Sequence, residues 1–279
     1  MNFRKYPVKG SKVCLKSNKI AVLRREGGLA IIDVNSNSVR LIGGFFVFKD
    51  FAWGTNRIAA LTHNVAMLYD HDGTLYKVIK FDSEASTVAY LNNFYLVGTT
   101  DGNLVKFNED GQVIWKKKIW DGSIDRIDLT QSGYIIVVAS STNMVLLNQN
   151  GDVITTHSYQ WDLTRVAWTS DLSFLAVPVQ NYVIIYRWDE KQGYVKDKEI
   201  RVNSVRKLKW CENKLAIADY KEFLVLEYSK SSISLRLRLE VIDFSWNEEC
   251  RDLTLLSPNY LYYLKDVNSI ATSISSSSA

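Results

Sequence analysis

Three histidines and three cysteines are the chain's whole stock of soft metal ligands and thiol nucleophiles. His63 follows an apolar run, His71 lies in a DHDG turn and His157 sits in a more polar run, so they share no common position. A metal site built from them is not expected. Cys14, Cys211 and Cys250 are odd in number and lack CxxC spacing, which argues against a disulfide framework and for buried, inert thiols in a reducing compartment. DHDG (70–73) opens like a calcium loop, but the twelfth position, which must supply a bidentate Glu, is Phe81. GxSxG, HExxH, P-loop and GxGxxG patterns are absent. The chain therefore reads as a non-enzyme without cofactor or metal.

The charged residues carry more information. Lys12, Arg126, Arg165 and Lys207 each stand three residues before a large apolar residue, and Arg206 adjoins the last of them. The other occupants of that position are Asp50, Thr87 and Asp243. An arc of basic side chains on one face would focus field onto an acidic peptide or a phosphate. A second cluster, Lys116–Lys118, lies within WKKKIW (115–120). Flanking tryptophans would suit nucleic acid, but a net charge of +4 on 279 residues is low for that role, and lysines on a strand edge also prevent aggregation.

What positions these residues is a repeat. KVCL (12–15), DFAW (50–53), TVAY (87–90), RIDL (126–129), RVAW (165–168), KLKW (207–210) and DFSW (243–246) share one pattern, polar–apolar–any–large. Their anchors, Leu15, Trp53, Tyr90, Leu129, Trp168, Trp210 and Trp246, are spaced 36 to 42 residues apart. Each anchor is followed by a short apolar run such as IAVL (20–23) or IIVV (135–138), then by a third segment such as NVAMLYD (64–70), and then by a more polar fourth such as LYKVIKF (75–81). Short apolar runs bounded by turn residues are strands buried on both faces. Rising polarity places the first strand at the centre and the fourth at the rim. DHDG, NEDG (108–111) and NQNG (148–151) recur between third and fourth segments as hairpin turns with Gly at positive φ.

Four strands per repeat, seven times, predict an all-β, seven-bladed β-propeller of antiparallel blades. The blades lie near 9–44, 45–82, 83–121, 122–161, 162–202, 203–239 and 240–268, within one domain over 1–268. Fourth strands end about nine residues before the next anchor. That spacing makes the segment 3–8 the outer strand that closes the last blade and the ring, with SIATSIS (269–275) as the competing candidate. Residues 269–279 otherwise read as a Ser-rich tail. The anchors are expected to fill the wedge between neighbouring sheets.

LTRVAW (163–168) and its repeats resemble the innermost-strand pattern of the WD-repeat and quinoprotein-like propeller superfamily, across essentially the whole chain. The Gly-His dipeptide of typical WD repeats is missing, and only Trp188–Asp189 falls at the end of a third strand. The hydrogen-bond network of such repeats is therefore not carried over. The resemblance implies a rigid interaction scaffold for a protein partner, with the top face carrying Lys12, Arg126, Arg165, Arg206 and Lys207. A ligand-binding or hydrolytic propeller and a nucleic-acid-associated one are the alternatives. The N-terminus MNFRKYPVKG lacks the apolar stretch of a secretory signal, and no run approaches eighteen apolar residues, so a cytoplasmic protein with no membrane insertion is expected.

Overall fold

The computed structural model describes residues 3–130 and 132–267. The chain folds as an all-β, seven-bladed propeller made of seven four-stranded antiparallel sheets. In six of them the strands follow chain order from the innermost outward. The seventh holds Asp243–Trp246, Leu253–Leu256 and Leu261–Leu264, and its outer strand is the N-terminal Phe3–Tyr6. Phe3 pairs with Leu264 and Tyr6 with Leu261. Three strands would leave an apolar edge open, and the first segment of the chain covers it. Tyr6 is buried and its hydroxyl donates to Asn37 Oδ1 at 3.1 Å. The alternative closing segment, 269–275, lies outside the described residues.

The burial gradient follows from the composition of the strands. The second strand Ile135–Ala139 is buried at every position, and the other second strands are buried except at their ends, whereas the outer strand Val153–Ser158 is exposed at all but one. Apolar runs without alternation form only where both faces are covered. In the fifth blade the innermost strand shrinks to Ala167–Trp168, shorter than the RVAW segment suggests.

The chain packs as two compact units. One comprises Met1–Arg25, Ala30–Val39 and Arg165–Ala279. Its cores gather Leu15, Ile20 and Ile32 with Leu256 and Tyr263, Trp210 with Leu208, Ile217 and Leu224, and Trp246 with Phe223, Phe244 and Leu255. The other comprises Glu26–Leu29 and Arg40–Thr164. There Tyr95 and Phe107 pack with Leu61 and Leu68, and Ile127 with Val137 and Val145. Each such large side chain withdrawn from water contributes about 1.5–3 kcal/mol. Of the other anchors, Trp53 is buried, with Nε1 donating to His71 Nε2 at 3.0 Å, while Tyr90, Leu129 and Trp168 are half-buried.

All three hairpin turns have one geometry. Gly73, Gly111 and Gly151 adopt φ of 91°, 68° and 79°, and each N–H donates to the carbonyl three residues earlier. A Cβ is disfavoured at that φ, which is why Gly recurs.

One expectation fails. Cys211 and Cys250 are joined in a disulfide with their Cα atoms 5.6 Å apart. Cys211 ends the innermost strand of the sixth blade and Cys250 lies in the first hairpin of the seventh. Their separation of 39 residues is about one repeat, so the fold superposes them on adjacent blades, and local CxxC spacing is blind to that. Cys14 alone is a free thiol, and burial pushes its pKa up.

Candidate partner-binding surface

Arg165 precedes the short first strand of the fifth blade, and in the other six blades the position three residues before the anchor lies on the innermost strand. That strand is the free edge of its sheet, with backbone N–H and C=O groups lacking a strand partner. In four blades the register slips just before this position, between Gly10 and Lys12, Ala85 and Thr87, Ile124 and Arg126, and Val205 and Lys207. A β-bulge re-aims the next side chain.

Five of these side chains bond to backbone of the following blade. Asp243 Oδ2 accepts from Val13 N–H at 2.7 Å, and Asp50 Oδ2 accepts from Val88 N–H at 3.0 Å. Arg126 donates to Thr164 O at 3.3 Å and pairs with Asp128 at 2.8 Å. Arg165 donates to Val205 O. Lys207 donates to Asp243 Oδ1 and, at 3.3 Å, to Phe244 O. Leu15 N–H donates to Ser245 Oγ at 3.1 Å, a second stitch two residues on. The sign of the charge follows the group it meets: an acid faces a bare N–H, a base faces a carbonyl or carboxylate. Each charge-assisted bond is worth about 1.5–3 kcal/mol.

Arg206 pairs with Glu240 at 2.7 Å and covers the Tyr220 ring at 3.9 Å. Lys12 also has a partner. The structure thus sets the five basic residues in blade-to-blade or local contacts. Lys116, Lys117 and Lys118 pair with Asp82, Asp152 and Asp121 respectively. Among the described residues no three His, Cys, Asp or Glu side chains converge as a metal site would require. Trp188 and Asp189 serve a local turn: Asp189 Oδ1 accepts the N–H groups of Lys191 and Gln192.

A different surface stands out, and the repeat pattern passes over it. The connection from the outer strand Val39–Ile42 to the innermost strand Asp50–Trp53 reads GGFFVFK (43–49). Phe45 is 103% exposed and Val47 76%, while Phe48 is buried against Tyr69 with ring centroids 6.1 Å apart. The loop is held along its length. Phe46 N–H donates to Gly43 O at 2.9 Å, Gly28 N–H to Phe46 O at 2.8 Å, and Lys49 N–H to Leu61 O at 2.8 Å. Gly43 has φ 58°, and a Cβ there would come within 2.6 Å of the Phe48 ring. Alternation along the loop turns Phe48 inward and leaves Phe45 and Val47 to water. The sequence signal is four consecutive apolar residues where equivalent connections read FDSE (81–84) and VNS (202–204). An exposed run of that length is costly unless something covers it.

No protein-family model and no curated protein matches the sequence. Solved structures do match. A chain in the crystal structure of the mitotic checkpoint complex has a TM-score of 0.75 at 11% identity, over 95% of this chain and 90% of that one. The β-propeller domain of Swd1 from Myceliophteria thermophila has a TM-score of 0.71 at 13% identity, over 95% of this chain and 99% of that one. These likenesses show that the chain has a β-propeller fold. Among the described residues no helix is long and apolar enough to cross a membrane.

Proposed function

We propose that this propeller is a non-catalytic scaffold that binds a protein partner through the 43–49 loop. Phe45 and Val47 are the anchors, and the partner presents an apolar pocket to them. The observation that carries this reading is a fully exposed aromatic side chain on a loop pinned by backbone hydrogen bonds at Gly28, Gly43 and Lys49. Aromatic anchors dominate binding energy at protein interfaces, and a loop already ordered incurs little further entropy loss on docking. The similar chain found in the mitotic checkpoint complex supports a role within assemblies. An acidic partner on the basic face has less support, since Arg126, Arg165 and Lys207 are bonded within the protein.

The test is affinity purification of the full chain from its native cell, in parallel with a Phe45→Ala/Val47→Ala variant. The variant is expected to melt as the parent does and to lose partners, with affinity reduced at least ~30-fold for a hot spot of this kind. Equal recovery of every partner by both proteins would overturn the proposal.

A further inference from the structure

Each blade ends in an outer strand whose free backbone edge could recruit another strand, and natural sheets blunt such edges with charge. Six of the seven outer strands do so: VRLI (39–42), LYKVIK (75–80), VIWKKK (113–118), GYVKDKEIR (193–201), SISLRL (232–237) and FRKY (3–6) all carry Lys or Arg. The seventh, VITTHS (153–158) in the fourth blade, has no Lys, Arg, Asp or Glu and no Pro. It is rich in β-branched residues, and Val153 and Ile154 are 53% and 51% exposed.

We propose that this strand is a self-pairing edge, on which a second copy of the chain adds its own Val153–Ser158 antiparallel about a twofold axis. The backbone sets the register. Tyr159 N–H points inward to Thr142 O at 2.9 Å, so by the two-residue alternation Thr156 and Ser158 direct their N–H and C=O groups outward. A twofold axis at Thr156 pairs that residue with its own copy. It sets Thr155 opposite His157, and beyond Thr155 the strand bulges at Ile154, since Thr155 pairs with Leu146 and Val153 with Leu147. No ammonium or carboxylate meets its like. The same operation on VIWKKK would set lysines face to face, which is destabilising. The contact is isologous, so it closes at two copies and joins two blade sheets into one of eight strands.

Sedimentation velocity on the full chain, over a concentration series up to roughly 100 µM, tests this. The expected result is a monomer–dimer equilibrium whose dissociation constant rises at least ~10-fold in Thr156→Lys, where two ammonium groups meet on the axis. Ile154→Lys, which puts an ammonium group on the same edge, also weakens the dimer, Thr156→Val keeps it, and Phe45→Ala/Val47→Ala leaves it unchanged because the loop is a separate surface. Circular dichroism confirms that the variants are folded. A chain monomeric throughout the series, a dimer indifferent to both lysine variants, or a monomer that loses a different protein in Thr156→Lys would each overturn self-pairing.

Discussion

Replacing Asp243 tests the claim that the position before each anchor laces neighbouring strands together. Asp243 is 4% exposed, and its two oxygens serve different partners, Val13 N–H at 2.7 Å and the Lys207 ammonium. In Asp243→Ala the buried Val13 amide loses its acceptor, a cost of about 1–3 kcal/mol. The ammonium loses its counter-charge, but the Lys207 side chain is 33% exposed and recovers water, so that share falls well below the ~3–5 kcal/mol of a fully buried pair. About 3 kcal/mol in total is expected, equivalent to a fall in Tm of about 6–12 °C for a chain of this size. Asp243→Asn keeps an acceptor for Val13 and should lose only about 1 kcal/mol. Lys207→Met leaves the buried carboxylate unpaired, and a double-mutant cycle with Asp243→Asn should give a coupling of at least ~0.5 kcal/mol. Calorimetry and urea titration read these values. If Asp243→Ala melts within about 1 °C of the parent, or the cycle shows no coupling, the lacing argument fails.

Two further outcomes are expected. The Cys211–Cys250 bond closes a loop of 39 residues, which chain entropy values at about 4 kcal/mol against a typical 2–4. Cys250→Ser, or reductant added to the parent protein, should lower stability by a similar amount, whereas Cys14→Ser should abolish none of the reductant's effect; a melting temperature indifferent to reductant refutes the bond's role. Asp219 is fully buried. Burial pushes its carboxyl up, but the N–H groups of Lys221, Asn203 and Glu222, at 2.6, 3.0 and 3.2 Å, outweigh this and hold it below the ordinary value. Its stabilisation is complete above the unfolded carboxyl pKa of about 4 and is lost as pH falls through the lower folded value. Asp219→Asn should therefore flatten the acid limb of stability against pH, and an unchanged limb would exclude Asp219 as a contributor.

The architecture was legible because a propeller writes its fold as a period. Each blade needs the same largely buried second strand and the same large residue near the end of its first strand, and three of them use the same Gly at positive φ, so local chemistry repeats wherever local structure does. The closing role of Phe3–Tyr6 followed from the same spacing, since an unfinished sheet specifies where its missing strand must come from. The basic residues were legible as a pattern but not as contacts. Whether Arg165 faces a ligand or the carbonyl of Val205 depends on a strand forty residues away. The disulfide escaped for a related reason: Cys211 and Cys250 are one repeat apart and become neighbours only when adjacent blades stack. Phe45 shows the converse, for its apolar type alone predicts burial. The loop's hydrogen bonds turn Phe48 inward and leave Phe45 in water, and that division is made by backbone geometry, which the tertiary structure alone decides.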